Sequence, residues 1–158
     1  MNSELDNIVQ TFGISQTFPS YSNTFKQLHT QKISYIDDSL PDIYKFLRTS
    51  ASLEILNSKI ISSSKGISSE GQILTGNQLI VNGNINQTLE YIANDIDKSI
   101  QATEFIIPFS TYIILNKQFL YDSKLKIVPY IEDIYINQIS KRKFFISIMS
   151  IINVNYLL

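Results

Sequence analysis

Gln78-Leu79-Ile80-Val81-Asn82-Gly83-Asn84-Ile85-Asn86-Gln87-Thr88-Leu89-Glu90-Tyr91-Ile92 decides the fold. Its odd positions read Leu79, Val81, Gly83, Ile85, Gln87, Leu89 and Tyr91. Its even positions are mostly amides and other polar groups: Asn82, Asn84, Asn86, Thr88 and Glu90. Side chains alternate across a strand, so this pattern predicts a long strand in a sheet with one wet face. Gly83 interrupts the apolar face and marks either a bulge or a close approach of another group.

The same period of two recurs on both sides of that stretch. Phe144, Ile146, Ile148, Ile152, Val154 and Tyr156 fall on one face of a second strand. The core is therefore expected where Leu79, Val81, Ile85, Leu89 and Tyr91 face Ile146, Ile148, Ile152 and Val154. Ser99–Ile107 and Thr111–Leu115 read as two strands flanking a bend at Pro108, with Phe109 anchoring the bend. Proline cannot donate to a ladder, so it belongs at an edge or a bend. Leu125–Ile139 reads as one strand, or as two broken near Pro129. Ser52–Asn57 and Lys59–Ser63 read as strands around a turn at Asn57-Ser58, followed by a Ser/Gly loop over 62–71. Asn94–Lys98 and Asn116–Ser123 are polar connections. Only Leu40–Arg48 has a helical look: Ser39 stands as a cap, Pro41 sits in the first turn, and Ile43, Phe46 and Leu47 share one helical face. The expectation is an all-β antiparallel sandwich, jelly-roll or immunoglobulin-like, with one short helix. Residues 1–31, polar with spaced aromatics, read as an extended N-terminal arm, and 32–158 as the sandwich domain. The arm is expected to dock on an exposed edge or groove of its own domain or of a neighbouring subunit, the alternative being a free tail.

Composition narrows the function. The chain has 158 residues and a net charge of −1. Charged residues are 17%, against ~25% in typical soluble proteins. Positive and negative groups are balanced in both halves, so no basic face points to nucleic acid. With no Cys and one His, disulfide scaffolds, Cys-ligated zinc, thiol nucleophiles and two-imidazole sites are all excluded. Ile is abundant while Ala, Val and Arg are scarce, a bias that fits AT-rich codons and a low-GC bacterium. Met1–Gln10 has no basic n-region and no continuous apolar core, so no signal peptide is expected. Phe144–Leu158 is too short and too alternating for a membrane helix.

Constellations for chemistry are few. His29 stands alone, and no G-x-S-x-G elbow accompanies the serines. Asn94, Asp95 and Asp97 offer three oxygens without the glycine and distal glutamate of an EF-hand, so a solvated turn is expected. Glu132 and Asp133 are adjacent in a strand, which predicts opposite faces and no paired-carboxylate chemistry. They are expected to pair instead with the basic cluster Lys141-Arg142-Lys143 across a turn. Gly66, Gly71 and Gly76 lack the Lys-Ser/Thr of a phosphate loop. No catalytic residue, cofactor or metal is expected.

Seven short stretches stand out in order along the chain: Leu40-Pro41-Asp42-Ile43, Gly71-Gln72-Ile73-Leu74-Thr75-Gly76, Leu79-Ile80-Val81-Asn82-Gly83, Glu90-Tyr91-Ile92-Ala93, Ile107-Pro108-Phe109-Ser110-Thr111, Pro129-Tyr130-Ile131-Glu132-Asp133-Ile134-Tyr135 and Lys141-Arg142-Lys143-Phe144-Phe145. Phe25-Lys26-Gln27 joins them from the arm. In these stretches the chain resembles the SPOCS-type domain of clostridial spore-coat and peptidoglycan-associated proteins, the module of SipL-type coat morphogenesis proteins. Where the family often has histidines, this chain has Gln101 and Glu104. No LysM module accompanies the domain in these residues, so glycan binding through LysM is not expected. The resemblance implies a non-enzymatic scaffolding protein, made in the mother-cell cytoplasm and deposited on the spore surface. Its implied partners are itself and other coat proteins, with neither nucleic acid nor membrane. A glycan- or small-molecule-binding sandwich is the alternative. The residues singled out for contact are Phe12, Phe18 and Phe25 in the arm, and Glu132, Asp133, Lys141 and Arg142.

Overall fold

The computed structural model describes residues 9–157. Among them are seven strands and no helix: β1 (Gln10–Phe12), β2 (Thr24–Tyr35), β3 (Ile43–Ile67), β4 (Ile73–Ala93), β5 (Ile100–Ile114), β6 (Lys124–Gln138) and β7 (Lys143–Leu157). They form two packed sheets, one ordered β1-β3-β4-β5 and the other β2-β7-β6. All pairings are antiparallel except β1 with β3. The sandwich is as the alternation requires. Its strand order is neither the jelly-roll nor the immunoglobulin one, because tight connections join β3, β4 and β5 as a plain meander, and β6 and β7 as a hairpin.

The core forms where expected. Leu79, Val81, Ile85, Leu89 and Tyr91 of β4, and Ile146, Ile148, Ile152 and Val154 of β7, are all buried. Each is a central strand of its sheet, so both edges of its apolar face are covered. One cluster gathers around Phe46, Phe105 and Phe144, whose rings meet at 5.8 and 5.9 Å. A second lies around Leu115, Phe119 and Val154. Phe109 packs against both. It does so by lying over Gly83: a Cβ there would sit 2.6 Å from the Phe109 ring and 2.2 Å from the Glu54 carbonyl. Gly83 is thus a close approach, and the strand opposite carries a bulge at Leu56, between Ile55 and Asn57. Gln87 is a polar residue on the inner face, 2% exposed, and its amide donates to Thr49 Oγ1 at 2.8 Å. Small Ala51 directly opposite leaves it room.

Several local expectations are corrected. Leu40–Arg48 is not a helix. Asp37–Ser39 is a turn, with the Ser39 amide and hydroxyl both donating to Asp37 Oδ1, and β3 begins at Ile43. Bulges between Ile43 and Lys45 and between Phe46 and Arg48 each add a residue, so Ile43, Phe46 and Thr49 all point inward. Two bulges in succession imitate the three-residue spacing of a helix. No turn interrupts Asn57-Ser58; β3 runs on to Ile67, and the reversal is the tight turn at Ser68–Gln72. Pro108 does not divide β5, which is continuous and paired only with β4, so the missing donor faces the open edge. Pro129 likewise sits within edge strand β6.

Residues 9–31, within the segment read as an arm, enter both sheets. Gln10–Phe12 pairs with Arg48–Ser50, and Thr24–Gln31 is the first part of β2. Between them Gly13, at φ 103°, lies so close to the Ala51 carbonyl that no Cβ would fit. Ser15 then crosses to the other sheet: its amide donates to the Ile131 carbonyl at 2.9 Å, and its hydroxyl accepts from the Ile131 amide at 3.0 Å. These residues fasten the β3 edge of one sheet to the β6 edge of the other.

Candidate functional site

Three of the stretches that carry the family resemblance converge at one end of the sandwich, around Arg142. Its guanidinium donates to Asp42 Oδ1 at 2.8 Å and to the carbonyls of Leu40 (3.0 Å), Asp37 (2.7 Å) and Ile36 (3.3 Å). Asp38 Oδ1 is 4.0 Å away. A planar fork with five donors is the side chain able to serve so many acceptors at once. The hydrogen bond it donates to Asp42 holds the guanidinium pKa above its ordinary value. Beside it the buried Tyr91 hydroxyl donates to the Pro41 carbonyl at 2.8 Å, and burial raises its pKa. The Ile43 amide donates to the Lys141 carbonyl and the Asn94 amide to the Asp42 carbonyl. Leu40-Pro41-Asp42-Ile43 is therefore an extended segment clamped by β4 and by the β6–β7 turn.

Arg142 thus does not pair with Glu132 or Asp133. Neither does Lys143, whose ammonium lies 5.8 Å from the Tyr35 ring centroid. Glu132 accepts from Gln27 Nε2 at 2.7 Å. A bulge between Ile131 and Asp133 also overturns the expected alternation: Ile131 and Ile134 are buried while Glu132 and Asp133 both leave the core. Lys141, with Lys45, Tyr44 and Gln138, lines an open cleft of about 520 Å³ next to the Arg142 junction.

The three arm phenylalanines are placed separately. Phe12 is exposed, with the Arg48 guanidinium 5.9 Å from its centroid. Phe18 packs on Tyr130 at 5.9 Å. Phe25, 60% exposed, joins Phe18, Pro19 and Tyr21 around a shallow pocket of about 260 Å³ on the outside of the β2-β7-β6 sheet. Sequence reading overlooked Tyr21 as a member of this patch, although its place between Phe18 and Phe25 in an apolar-spaced segment was a signal.

His29 lies on the outer face of β2, with Nε2 2.7 Å from Ser147 Oγ and 3.1 Å from the Gln31 amide nitrogen. Asp95 closes a turn: the Ser99 hydroxyl and amide both donate to it and hold its carboxyl below the usual carboxylate range. Asn94 Oδ1 accepts from Lys98 Nζ at 3.1 Å. These oxygens serve the turn. Gln101 donates to Ser99 Oγ at 3.0 Å.

Set against known families, residues 42–139 match the family model described as "SipL, SPOCS domain". The chain belongs to the SPOCS domain family, and membership makes it a sporulation-related protein. The match runs from Asp42 of the Arg142 junction through β3, β4, β5 and β6. No curated protein and no solved structure matches the chain. No helix among the described residues is long and apolar enough to cross a membrane.

Proposed function

We propose that this protein is a non-enzymatic structural component of the spore surface, in coat or exosporium, made in the mother-cell cytoplasm of a clostridial bacterium. It acts by contact with other coat proteins and by self-assembly. The observation that carries this reading is apolar surface attached to a SPOCS domain. Phe12 of β1, Phe25 of β2, and Phe18 and Tyr21 between them are exposed, as are Ile67 (75%) and Tyr121 (76%) at the end of the sandwich opposite the Arg142 junction. Contiguous exposed apolar groups mark protein–protein contact, and Phe18, Pro19, Tyr21 and Phe25 gather around one shallow pocket. The absence of thiols and of a second imidazole from the sequence supports a non-enzymatic role. Neither nucleic acid nor membrane is expected as a partner.

A fluorescent fusion expressed from the native promoter tests the reading. Signal confined to sporulating cells and retained on purified spores after detergent washing is expected. Uniform mother-cell signal lost on washing would overturn it. A second reading, a glycan- or small-molecule-binding module, is favoured by one feature, the aromatic pocket of Phe18, Tyr21 and Phe25. That reading expects a rise in melting temperature with cell-wall fragments.

A further inference from the structure

Exposed strand edges are templates for pairing, and proteins block them with proline, inward-pointing charge or cover. Three of the four long edges here are blocked. β5 carries Pro108 and β6 carries Pro129. On β2, Lys26 and Lys32 stand opposite Ile152 and Ile146 and so share their inward face. β3 is different. Among the described residues β1 covers it only at Arg48–Ser50, and Gly13 leaves the edge at Ala51. From Ser52 to Ile61 no described strand pairs with this edge, which has no proline and carries Leu53, Ile55, Ser58 and Ile60 on its inner face.

We infer that this edge pairs antiparallel with the same edge of a second copy, merging two sheets about a two-fold axis. The inference rests on the self-assembly reading above and names its interface. Self-complementary charge selects the occupant, since Glu54 and Lys59 stand on the outer face on either side of the Leu56 bulge. The bulge then sets the register: β4 accommodates the extra residue by setting one residue against two, and a second copy does so with its own extra residue. With the two bulges facing each other on the axis, both halves stay in phase. Leu53 then lies opposite Ile60 of the second copy on the inner face, and Glu54 opposite Lys59 on the outer face. The pairing is isologous, so each of these contacts occurs twice. The ladder ends at Ser52, where Gly13 and β1 begin, and at Ile61, just before the irregularity between Ser62 and Lys65. That β1 already adds to the same edge shows that it accepts a strand.

Sedimentation velocity of the full chain over a concentration series tests this, with Glu54→Lys, Lys59→Glu and the double reversal. Wild type is expected to dimerise. Each single reversal places like charges across both symmetric contacts and should weaken the dimer about ten-fold, and the double reversal should restore it. Ile60→Lys, which copies the inward lysines of β2 at a partly exposed position, should give a folded monomer. A wild type that stays monomeric overturns both the interface and self-assembly. Larger species unaffected by Ile60→Lys, or a double reversal no tighter than the single ones, overturn this interface while leaving self-assembly through another surface standing.

Discussion

Gly83→Ala is the sharpest test of the core. The added methyl would lie 2.2 Å from the Glu54 carbonyl oxygen and 2.6–2.7 Å from two carbons of the Phe109 ring. The ring can rotate away, but the carbonyl is backbone beside the Leu56 bulge and has little freedom. Overpacking of this kind costs roughly 1–3 kcal/mol. Against it, alanine gains up to about 1 kcal/mol over glycine by losing less backbone freedom on folding. Both contacts are far inside van der Waals range, so the steric cost wins. The net expectation is a destabilisation of about 1–2 kcal/mol, or a fall in melting temperature of roughly 2–8 °C for a domain of this size. Urea denaturation, with the slope checked for constancy, measures it. Phe109→Leu combined with Gly83→Ala should recover part of the loss, because the smaller side chain relieves the ring contact but not the carbonyl. A neutral or stabilising Gly83→Ala, or strict additivity of the two changes, would refute the account of Gly83 as the seat of Phe109.

Leu89→Ala removes a fully buried side chain and should cost roughly 2–5 kcal/mol in the same assay; a loss below 1 kcal/mol contradicts its place in the core. Asp37 and Asp95 have folded pKa values depressed by hydrogen bonds from Ser39 and Ser99. Their contributions are present above the unfolded carboxylate pKa near 4 and fade as pH falls through the lower folded values. Melting curves from pH 7 to pH 2 should therefore drop at the acid end, and less steeply in Asp95→Asn than in wild type. Arg142→Ala should speed amide exchange at Ile43 and Asn94, whose segment it holds. Arg142→Lys should rescue this only in part, since an ammonium lacks the planar fork; equal protection in Arg142→Ala and wild type would show that the junction holds without the guanidinium.

What the sequence made legible was the central strands. In β4 and β7 the alternation is legible because the extra residues of the bulges lie in their partners β3 and β6, and every residue assigned to the facing core is buried there. The misreadings share a cause: one extra residue in an otherwise regular strand. At Ile43–Thr49 successive bulges produced a helical spacing, at Leu56 the strand continued past a supposed turn, and at Glu132 two carboxylates came to the same side of the core. A bulge is a property of two paired strands, and the sequence of one carries no reliable sign of it. The Arg142 junction was hidden for a related reason. Its acceptors are mostly backbone carbonyls of a loop about a hundred residues away, and carbonyls have no signature in sequence. The unbroken passage of β5 through Pro108 follows from its edge position, which depends on strand order.

The pairing of β2 with β7 joins the first long strand to the last: Thr24 lies opposite Val154, and Tyr35 opposite Lys143. During synthesis β2 leaves the ribosome well before its partner exists. At about 5–20 residues per second the wait is on the order of ten seconds. The β3-β4-β5 meander needs only neighbours in the chain and is free to form in that interval. The second sheet closes only when β7 arrives, and the loop to be closed spans most of the chain, so its formation should be the slow phase of refolding. Until then β2 is an unpaired strand beside a growing apolar surface, and Lys26 and Lys32 on its inward face make it a poor partner for strands of other nascent chains.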